Sequence, residues 1–182
     1  MDDWKRCLGV FAAAVLLLAT PADARRVKRG GAKNPVRQAA CVAECDTVRN
    51  LIYMIGDGMG LAHVTMLQIA EGYDNPVSFM RAENVALIKS YSRNNRVTDS
   101  AAAGTALATG HKTNNSMLGV LPDSTAVESM MAKAVRRGMA TGLVVTCYLP
   151  HATPGAFYAH QVYRRTLEPI AEQLVESGVD VA

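Results

Sequence analysis

Residues 48–70 read VRNLIYMIGDGMGLAHVTMLQIA and combine three kinds of local pattern in one stretch. The short apolar run at 48–55 is closed by Gly56 and predicts a buried strand. Residues 61–70 place apolar side chains at helical spacing. A buried strand that passes through a glycine-rich turn into a helix is the repeating unit of an α/β fold.

The same alternation continues to the end of the chain. Strands are predicted at 85–91 and 140–147, and another begins at Val179. Helices are predicted at 100–109, 126–137 and 167–176, the second of them ended by Gly138. This order predicts a mainly parallel central sheet with helices on both faces. Ligands of such folds bind beyond the carboxyl ends of the strands, so the residues that follow each apolar run are the candidate site residues.

Length and charge narrow the class of protein. The 182 residues are enough for one globular domain. The 19 basic and 16 acidic residues give a net charge of +3, but eight of the basic residues lie within residues 1–37. From position 38 onward the chain carries a net charge of −2. This distribution does not favour binding to nucleic acid.

The N-terminus has the pattern of a secretory signal. Lys5 and Arg6 precede an apolar run at 8–19, and the small residues Ala22 and Ala24 suit signal peptidase. A membrane anchor is the alternative, but about 12 apolar residues span only about 18 Å of a ~30 Å hydrocarbon core. We therefore expect a signal peptide at 1–24, a basic linker at 25–47 and an α/β domain at 48–182. This organisation predicts an extracytoplasmic protein with no membrane segment after cleavage.

The cysteines say little about disulfide pairing. Removal of the signal would remove Cys7 and leave an odd number of thiols. Cys41 and Cys45 are close enough in sequence to bridge within a turn. Cys147 ends an apolar run and is expected to be a buried thiol.

The glycine-rich turn at 56–60 carries the first candidate site residue. A dinucleotide-binding G-x-G-x-x-G motif would need glycine where Leu61 stands. Asp57 would also direct a carboxylate at a pyrophosphate, which makes sense only if a cation lies between them. Asp57 is therefore a candidate metal ligand, and the alternative is an ordinary aspartate in a tight turn.

Ser100 is the second candidate, in the segment VTDSAAAGT at 97–105. It is expected at a helix N-terminus, where free backbone N–H groups and the helix dipole favour an anion. The simple alternative is that Ser100 only caps the helix. The small residues that follow would leave the helix end open to a bulky anion. Thr98 and Ala102 do not match the G-x-S-x-G pattern of serine esterases, so a nucleophilic Ser100 would need a metal activator.

Further polar residues follow the predicted strand at 140–147, in the segment HATPGAFYAHQVYRR at 151–165. His160 and Arg164 lie four residues apart and would share a face if the segment were helical. The planar guanidinium of Arg164 suits phosphate. The alternative is a structural loop histidine beside surface arginines.

Three of these segments together resemble the alkaline phosphatase family. They are NLIYMIGDGMG at 50–60, VTDSAAAGTALATGHKT at 97–113 and HATPGAFYAHQVYR at 151–164, which occur in the family's order and at about its spacing. The middle segment is close to a family signature by itself. The resemblance runs from about Asn50 to the end of the chain and implies an alkaline-phosphatase-like fold and the hydrolysis of small phosphate monoesters.

The resemblance also implies a metal centre with two zinc ions and one magnesium ion. Ser100 resembles the nucleophile that forms a phosphoserine intermediate and coordinates one zinc. Asp57 resembles the carboxylate shared between that zinc and the magnesium, and Thr153 resembles a magnesium ligand. His151 occupies a position near magnesium at which the family varies.

The family is commonly dimeric, so the resemblance also implies a homodimer. Two further residues resemble the pair that binds phosphate in the family. Arg164 resembles the arginine that grips the phosphate. Asp99 resembles the acidic neighbour that steadies this arginine.

The implied metal centre needs more ligands than this chain offers, because a catalytic zinc usually takes three protein ligands. The chain also ends in a predicted strand, at Val179, which leaves an unpaired edge. We therefore expect the N-terminal portion of a longer phosphatase. The alternatives are a non-catalytic fragment that binds phosphate or metal, and a related phosphodiesterase or sulfatase. A sulfatase would need a C/S-x-P-x-R motif, which the residues around Ser100 do not match.

Overall fold

The computed structural model describes residues 15–18, 50–75 and 77–182. The predicted cleavage site, the basic linker and the pair Cys41 and Cys45 lie outside the described residues. Of the predicted signal peptide, only residues 15–18 are described, and they form a strand. The elements are β1 (Val15–Leu18), β2 (Ile52–Ile55), α1 (Leu61–Glu71), a 3-10 turn (Ser78–Arg81), α2 (Ser100–Thr109), α3 (Met130–Arg136), α4 (Ala152–Gly155) and α5 (Leu167–Glu176).

Strand β2 forms where the sequence predicts it, but it is not buried. It pairs with β1 in antiparallel register, with Ile55 opposite Val15. The side chains of Ile52 and Met54 are 64% and 56% exposed, which contradicts the expected buried strand. On the other face, Tyr53 packs on Phe157 at a ring-centroid distance of 6.0 Å. This contact fixes the end of β2, and therefore Asp57, close to α4.

The expected parallel sheet is not formed within the described residues. Residues 85–91 adopt no regular structure, and Val85 and Leu87 are both 88% exposed. The predicted strand at 140–147 makes one parallel bridge, between Gly142 and Val181. A β-branched apolar segment forms a strand only where a neighbouring strand pairs with it, so the sequence pattern alone was not sufficient. The mainly parallel sheet therefore stays a prediction.

Cys147 is exposed, so the expectation of a buried thiol is wrong. The chain leaves its single parallel bridge at Gly142 and bends before it reaches Cys147. Val144 in the same segment is 97% exposed. Leu143 of the run packs against the core, but no strand or helix within the described residues covers Cys147.

The helices agree more closely with the sequence. Helices α2 and α5 have the predicted bounds, and α1 extends one residue beyond its predicted end. Helix α3 begins at Met130 rather than at Ala126, because Ala126 pairs with Val120 in an antiparallel bridge. Ser129 then caps the shortened helix, and its Oγ accepts the Ala132 N–H at 3.0 Å. No helix in the described part of the chain has both the length and the apolar character needed to cross a membrane.

Small residues allow α2 and α4 to pack closely. A Cβ atom placed on Gly104 of α2 would lie 3.0 Å from the Cβ of Ala156, just past the end of α4. The buried core around this contact contains Ala101, Leu118, Ala152, Ala156, Tyr158, Ala159 and Ile170. The contact places the first residues of α4 beside the first residues of α2, which is where the candidate site lies.

Tyr158 makes the stability of this core sensitive to high pH. The side chain is buried and its hydroxyl donates to the Leu149 carbonyl oxygen at 2.7 Å. Burial, with a smaller contribution from the Cys147 thiolate, raises the pKa of Tyr158 to about 12 from 10.0. The unfolded chain therefore loses this proton at lower pH than the folded chain does, so folding stability falls as the pH rises from about 10 to about 12.

We expect the thermal midpoint of the wild-type chain to fall more steeply between pH 10 and pH 12 than that of Tyr158→Phe. Circular dichroism melts at several pH values measure the two slopes, independently of the lower midpoint that the lost hydrogen bond causes below pH 10. Tyr73, which is 68% exposed, provides the control variant Tyr73→Phe. Equal slopes for wild type and Tyr158→Phe would contradict this account.

Candidate active site

The Asp57 carboxylate joins two hydroxyl side chains from distant parts of the sequence. Ser100, the first residue of α2, donates its Oγ hydrogen to Oδ1 of Asp57 at 3.0 Å across 43 residues. Thr153 of α4 donates to Oδ2 of the same carboxylate at 2.6 Å across 96 residues. The turn after β2, the start of α2 and the start of α4 thus bring three oxygen-bearing side chains together.

Asp99, not Ser100, caps helix α2. The Oδ1 atom of Asp99 accepts the Ala102 N–H at 2.9 Å, and the residue has extended backbone angles. The alternative that Ser100 serves only as the cap is therefore wrong. Because its neighbour satisfies the helix end, the Ser100 hydroxyl remains free to face Asp57. Ser100 still lies in the first turn, where the helix dipole favours a negative charge.

The sequence suggested that the alanines after Ser100 leave the N-terminal end of α2 open to an anion. The structure does not show this. Ala101 and Ala102 are 0% and 2% exposed. Ala101 and Gly104 lie on the face of α2 that packs against α4 and Ala156. Their small size brings the backbones of the two helices close enough for Thr153 to reach Asp57.

A second group of contacts pairs Asp99 with Arg164. The Oδ2 atom of Asp99 accepts Nη1 of Arg164 at 3.2 Å and the Ser116 N–H at 3.0 Å. The backbone N–H of Arg164 donates to the Ser116 carbonyl oxygen at 2.8 Å. The two paired side chains are only 20% and 22% exposed. The residue that precedes Ser100 in the sequence therefore binds the guanidinium of Arg164, which is a planar group of hydrogen-bond donors.

His151 lies next to this pair. Its Nε2 is 3.5 Å from Nη2 of Arg164, and its buried Nδ1 has no hydrogen-bond partner within the described residues. The Tyr148 ring packs edge-on against the imidazole at 5.1 Å between centroids. An unpartnered buried nitrogen is a free coordination or hydrogen-bonding position in the same part of the molecule.

Asn115 was missed in the sequence, where Asn114, Asn115 and Ser116 stand out only as a glycosylation sequon. Its side-chain Oδ1 accepts the Asp99 N–H at 3.1 Å, and its Nδ2 donates to the Val97 carbonyl oxygen at 3.0 Å. Asn115 thereby ties the backbone before α2 to the loop that follows it. No local pattern announces this role, because both contacts join residues at least 16 positions apart.

His160 does not share a helical face with Arg164. Residues 160–166 form a bridge and turns instead of a helix. The Nδ1 atom of His160 lies 2.7 Å from the carbonyl oxygen of Gly119, and its backbone N–H donates to Gln173. The close approach requires glycine at 119, where a Cβ atom would lie 2.1 Å from the Ala159 carbonyl oxygen. The structural alternative therefore applies to His160.

Ser116 holds its position between Asp99 and Arg164 in a backbone conformation that favours glycine, with φ of 75°. We expect Ser116→Gly to raise the free energy of unfolding by about 0.5–1 kcal/mol, since relief of this strain exceeds the extra flexibility of glycine in the unfolded chain. Urea denaturation measures the change. Ser116→Ala, which keeps the strain, is the control and should show no gain, whereas a gain of the same size in both variants would contradict the explanation.

The described residues fit a hard cation better than they fit two zinc ions. One carboxylate and two hydroxyl oxygens converge at Asp57, and oxygen donors are the ligands that magnesium prefers. No group of three or more His, Cys, Asp or Glu side chains comes together within the described ranges. A catalytic zinc usually takes about three such ligands, so these residues by themselves do not complete a zinc site.

A cavity of about 560 Å³ opens on the Arg164 side of the site. Asp99, Ser116 and Arg164 line it together with His151. The size is within the range of small-molecule pockets. The partly buried ion pair thus borders a space large enough for a ligand.

Comparison with known proteins connects this geometry with a family. The family model for alkaline phosphatase matches residues 48–180. Alkaline phosphatase 4 of Bacillus subtilis is 37% identical over 139 residues, and the match covers 72% of this chain. The human tissue-nonspecific alkaline phosphatase isozyme is 35% identical over 136 residues and covers 65% of the chain.

Solved structures agree with these matches. The alkaline phosphatase from the Antarctic bacterium TAB5 is 45% identical, with a TM-score of 0.53 over 54% of this chain and 29% of its own. A variant of the TAB5 enzyme described with magnesium bound has a TM-score of 0.60 at 36% identity, over 65% of this chain and 35% of its own.

The chain spans 30% of the length of the Bacillus subtilis relative and 26% of the human one. The match of the family model nonetheless covers most of the chain, and it contains both halves of the site, from the Asp57 turn to Arg164. The fold is therefore alkaline-phosphatase-like, and this chain belongs to the alkaline phosphatase family.

Proposed function

We propose that this chain carries the nucleophile and the phosphate-binding arginine of a metal-dependent phosphomonoesterase. The observation that supports this most directly is the pairing of adjacent residues with two different tasks. Ser100 presents its hydroxyl to Asp57 at 3.0 Å, while Asp99 holds the Arg164 guanidinium at 3.2 Å. A hydroxyl on the first residue of a helix and a cation held by the residue before it suit the attack on a phosphate ester.

The reaction proceeds in two displacements at phosphorus. The Ser100 Oγ forms a bond to phosphorus and loses its proton to solvent. The bond from phosphorus to the ester oxygen breaks, and the departing oxygen takes a proton from solvent to leave as the alcohol. Water then attacks the phosphoserine, which returns Ser100 and releases inorganic phosphate. Arg164 binds the equatorial phosphate oxygens, and the free N–H groups of α2 add fixed donors where negative charge develops.

The proposal also includes metal ions, for which the described residues supply only part of the ligand set. Asp57 and Thr153, with the nearby His151, would hold one magnesium ion, and Ser100 and Asp57 would contribute to one of two zinc sites. When bound, these ions lower the pKa of the serine hydroxyl and stabilise the leaving oxygen. The magnesium assignment is supported by the converging oxygens, whereas the two zinc ions rest on family membership alone.

The wider setting is also proposed from the sequence. A signal peptide at 1–24, a basic linker at 25–47 and a catalytic segment at 48–182 would deliver the protein outside the cytoplasm. Its substrates would be small phosphate monoesters encountered there. A homodimer is proposed from the resemblance to the family.

A second function has one observation in its favour. Within the described residues, no group of three or more His, Cys, Asp or Glu side chains comes together as a metal site. On this alternative the chain binds phosphate or magnesium through Arg164 and Asp57 without turnover. A phosphodiesterase or sulfatase reaction has no comparable support.

The two functions are separated by assaying two proteins with an aryl phosphate at alkaline pH, with zinc and magnesium added. The first is the 182-residue chain, and the second is a chimera in which residues 48–180 replace the matched segment of Bacillus subtilis alkaline phosphatase 4. We expect turnover by the chimera. A chimera that folds, as circular dichroism shows, but has no turnover would favour the binding function, with the unaltered relative as positive control.

A further inference from the structure

The cavity beside Arg164 is a cleft with two walls. One wall contains Tyr148, His151 and Ala152, at the start of α4. The other contains Tyr163, Arg164, Arg165 and Leu167, at the start of α5. Asp99 and Ser116 lie between them at the Arg164 end. The volume of about 560 Å³ is larger than a phosphate group alone needs, so the cleft has room for the group esterified to it.

Each wall contributes a tyrosine to this cleft. Tyr148 and Tyr163 both line it and are 56% and 49% exposed. Tyr148 is fixed by the edge-on contact of its ring with His151. Leu167 adds an apolar surface next to Tyr163, at the first turn of α5. Two aromatic side chains in one cleft suit a flat ligand ring, which can stack on them or meet them edge to face.

The charges of the cleft set the orientation of such a ligand. Arg164 and its partner Asp99 lie together, so the phosphate would bind at this pair. Arg165 lines the cleft as a second cation without a salt bridge within the described residues. The positive side chains attract the phosphate end, and the tyrosines remain for the rest of the molecule.

We propose that this cleft is a leaving-group subsite that selects phosphate monoesters of planar aromatic alcohols over esters of aliphatic alcohols of similar size. This inference rests on the proposed function and adds the substrate class to it. Tyr148 and Tyr163 are the residues that determine specificity, whereas Arg164 binds the phosphate that all substrates share. An aromatic pair contributes beyond its buried area, enough for a preference of about threefold to tenfold.

The test measures binding and does not depend on turnover or on added metal. Phenylphosphonate and cyclohexylphosphonate have rings of similar size and the same anionic group, but only the first ring is planar. We expect isothermal titration of the 182-residue chain to give a dissociation constant about threefold to tenfold lower for phenylphosphonate. Tyr148→Leu and Tyr163→Leu should each reduce this ratio toward one while leaving the affinity for inorganic phosphate unchanged.

Tyr73→Leu is the matched control, because Tyr73 is 68% exposed and lies outside the cleft. It should leave the ratio unchanged, and far-ultraviolet circular dichroism checks that all three variants fold. Equal affinities for the two phosphonates, or a ratio that neither cleft variant alters, would overturn the aromatic subsite and leave the proposed phosphate site intact. Absence of binding by phosphate and by both phosphonates would overturn the subsite and the phosphate site of this chain together.

Discussion

Turnover by the chimera is expected to fall by at least about 10³-fold when Ser100 is replaced by alanine, as for other enzymes that lose their nucleophile. The substitution removes the Oγ atom that forms the bond to phosphorus, and nothing else in the first turn of α2 can replace it. Because Asp99 and not Ser100 caps the helix, the helix itself should remain formed. Initial rates with an aryl phosphate at alkaline pH, normalised to folded protein, measure the loss.

Ser78→Ala is the control for Ser100→Ala. Ser78 is exposed and begins the 3-10 turn far along the chain from the site. Its replacement should leave the rate within about twofold of the starting chimera, as for most surface substitutions. Activity that survives in Ser100→Ala would show that the phosphoryl group passes to another acceptor, and the proposed mechanism would then be wrong.

The second large effect is expected for Arg164→Ala. This change removes the guanidinium that Asp99 holds, and it leaves the Asp99 carboxylate without its cation. Loss of one well-placed donor to a transition-state oxyanion costs about 10²–10³-fold in rate. We expect a loss of this size in kcat/KM, together with weaker inhibition by inorganic phosphate, because the same donor serves substrate and product.

Arg165→Ala provides a matched control on the adjacent residue. Arg165 lines the cleft but is not paired with Asp99. Its removal should change kcat/KM by less than about tenfold, as for a single surface charge. Arg164→Lys should recover part of the lost activity, since it restores the charge without the planar donor pair. Equal effects at 164 and 165 would indicate general electrostatic attraction instead of a specific phosphate clamp.

Local patterns predicted the helices well because helical spacing and end signals lie within the helix itself. Helix α5 begins at Leu167 and ends at Glu176 as expected. The strand predictions for 85–91 and 140–147 failed because a strand depends on pairing with its neighbours. Within the described residues, the segment 140–147 makes one bridge, between Gly142 and Val181. The apolar residues expected inside the sheet, such as Val144, are exposed for the same reason.

The sequence identified the candidate site residues one by one, but it did not predict the contacts between them. Asp57 and Ser100 were selected one at a time, from the residues around each. The structure adds that they share a hydrogen bond. Asp99 and Ser100 are both good N-cap residues, so the sequence could not decide which of them caps α2 and which has a free side chain. The role of Asn115 depends on contacts across the loop and has no local signature.

The central claim is that Ser100 receives the phosphoryl group, and a direct measurement is the mass of the trapped intermediate. The chimera is mixed with an aryl phosphate, quenched in acid and digested, and the peptide that contains residue 100 is sequenced by tandem mass spectrometry. The account predicts one phosphate on Ser100 that is absent in Ser100→Ala. Turnover with no phosphate on this peptide, or with the phosphate on Thr98 or Thr105, would contradict it.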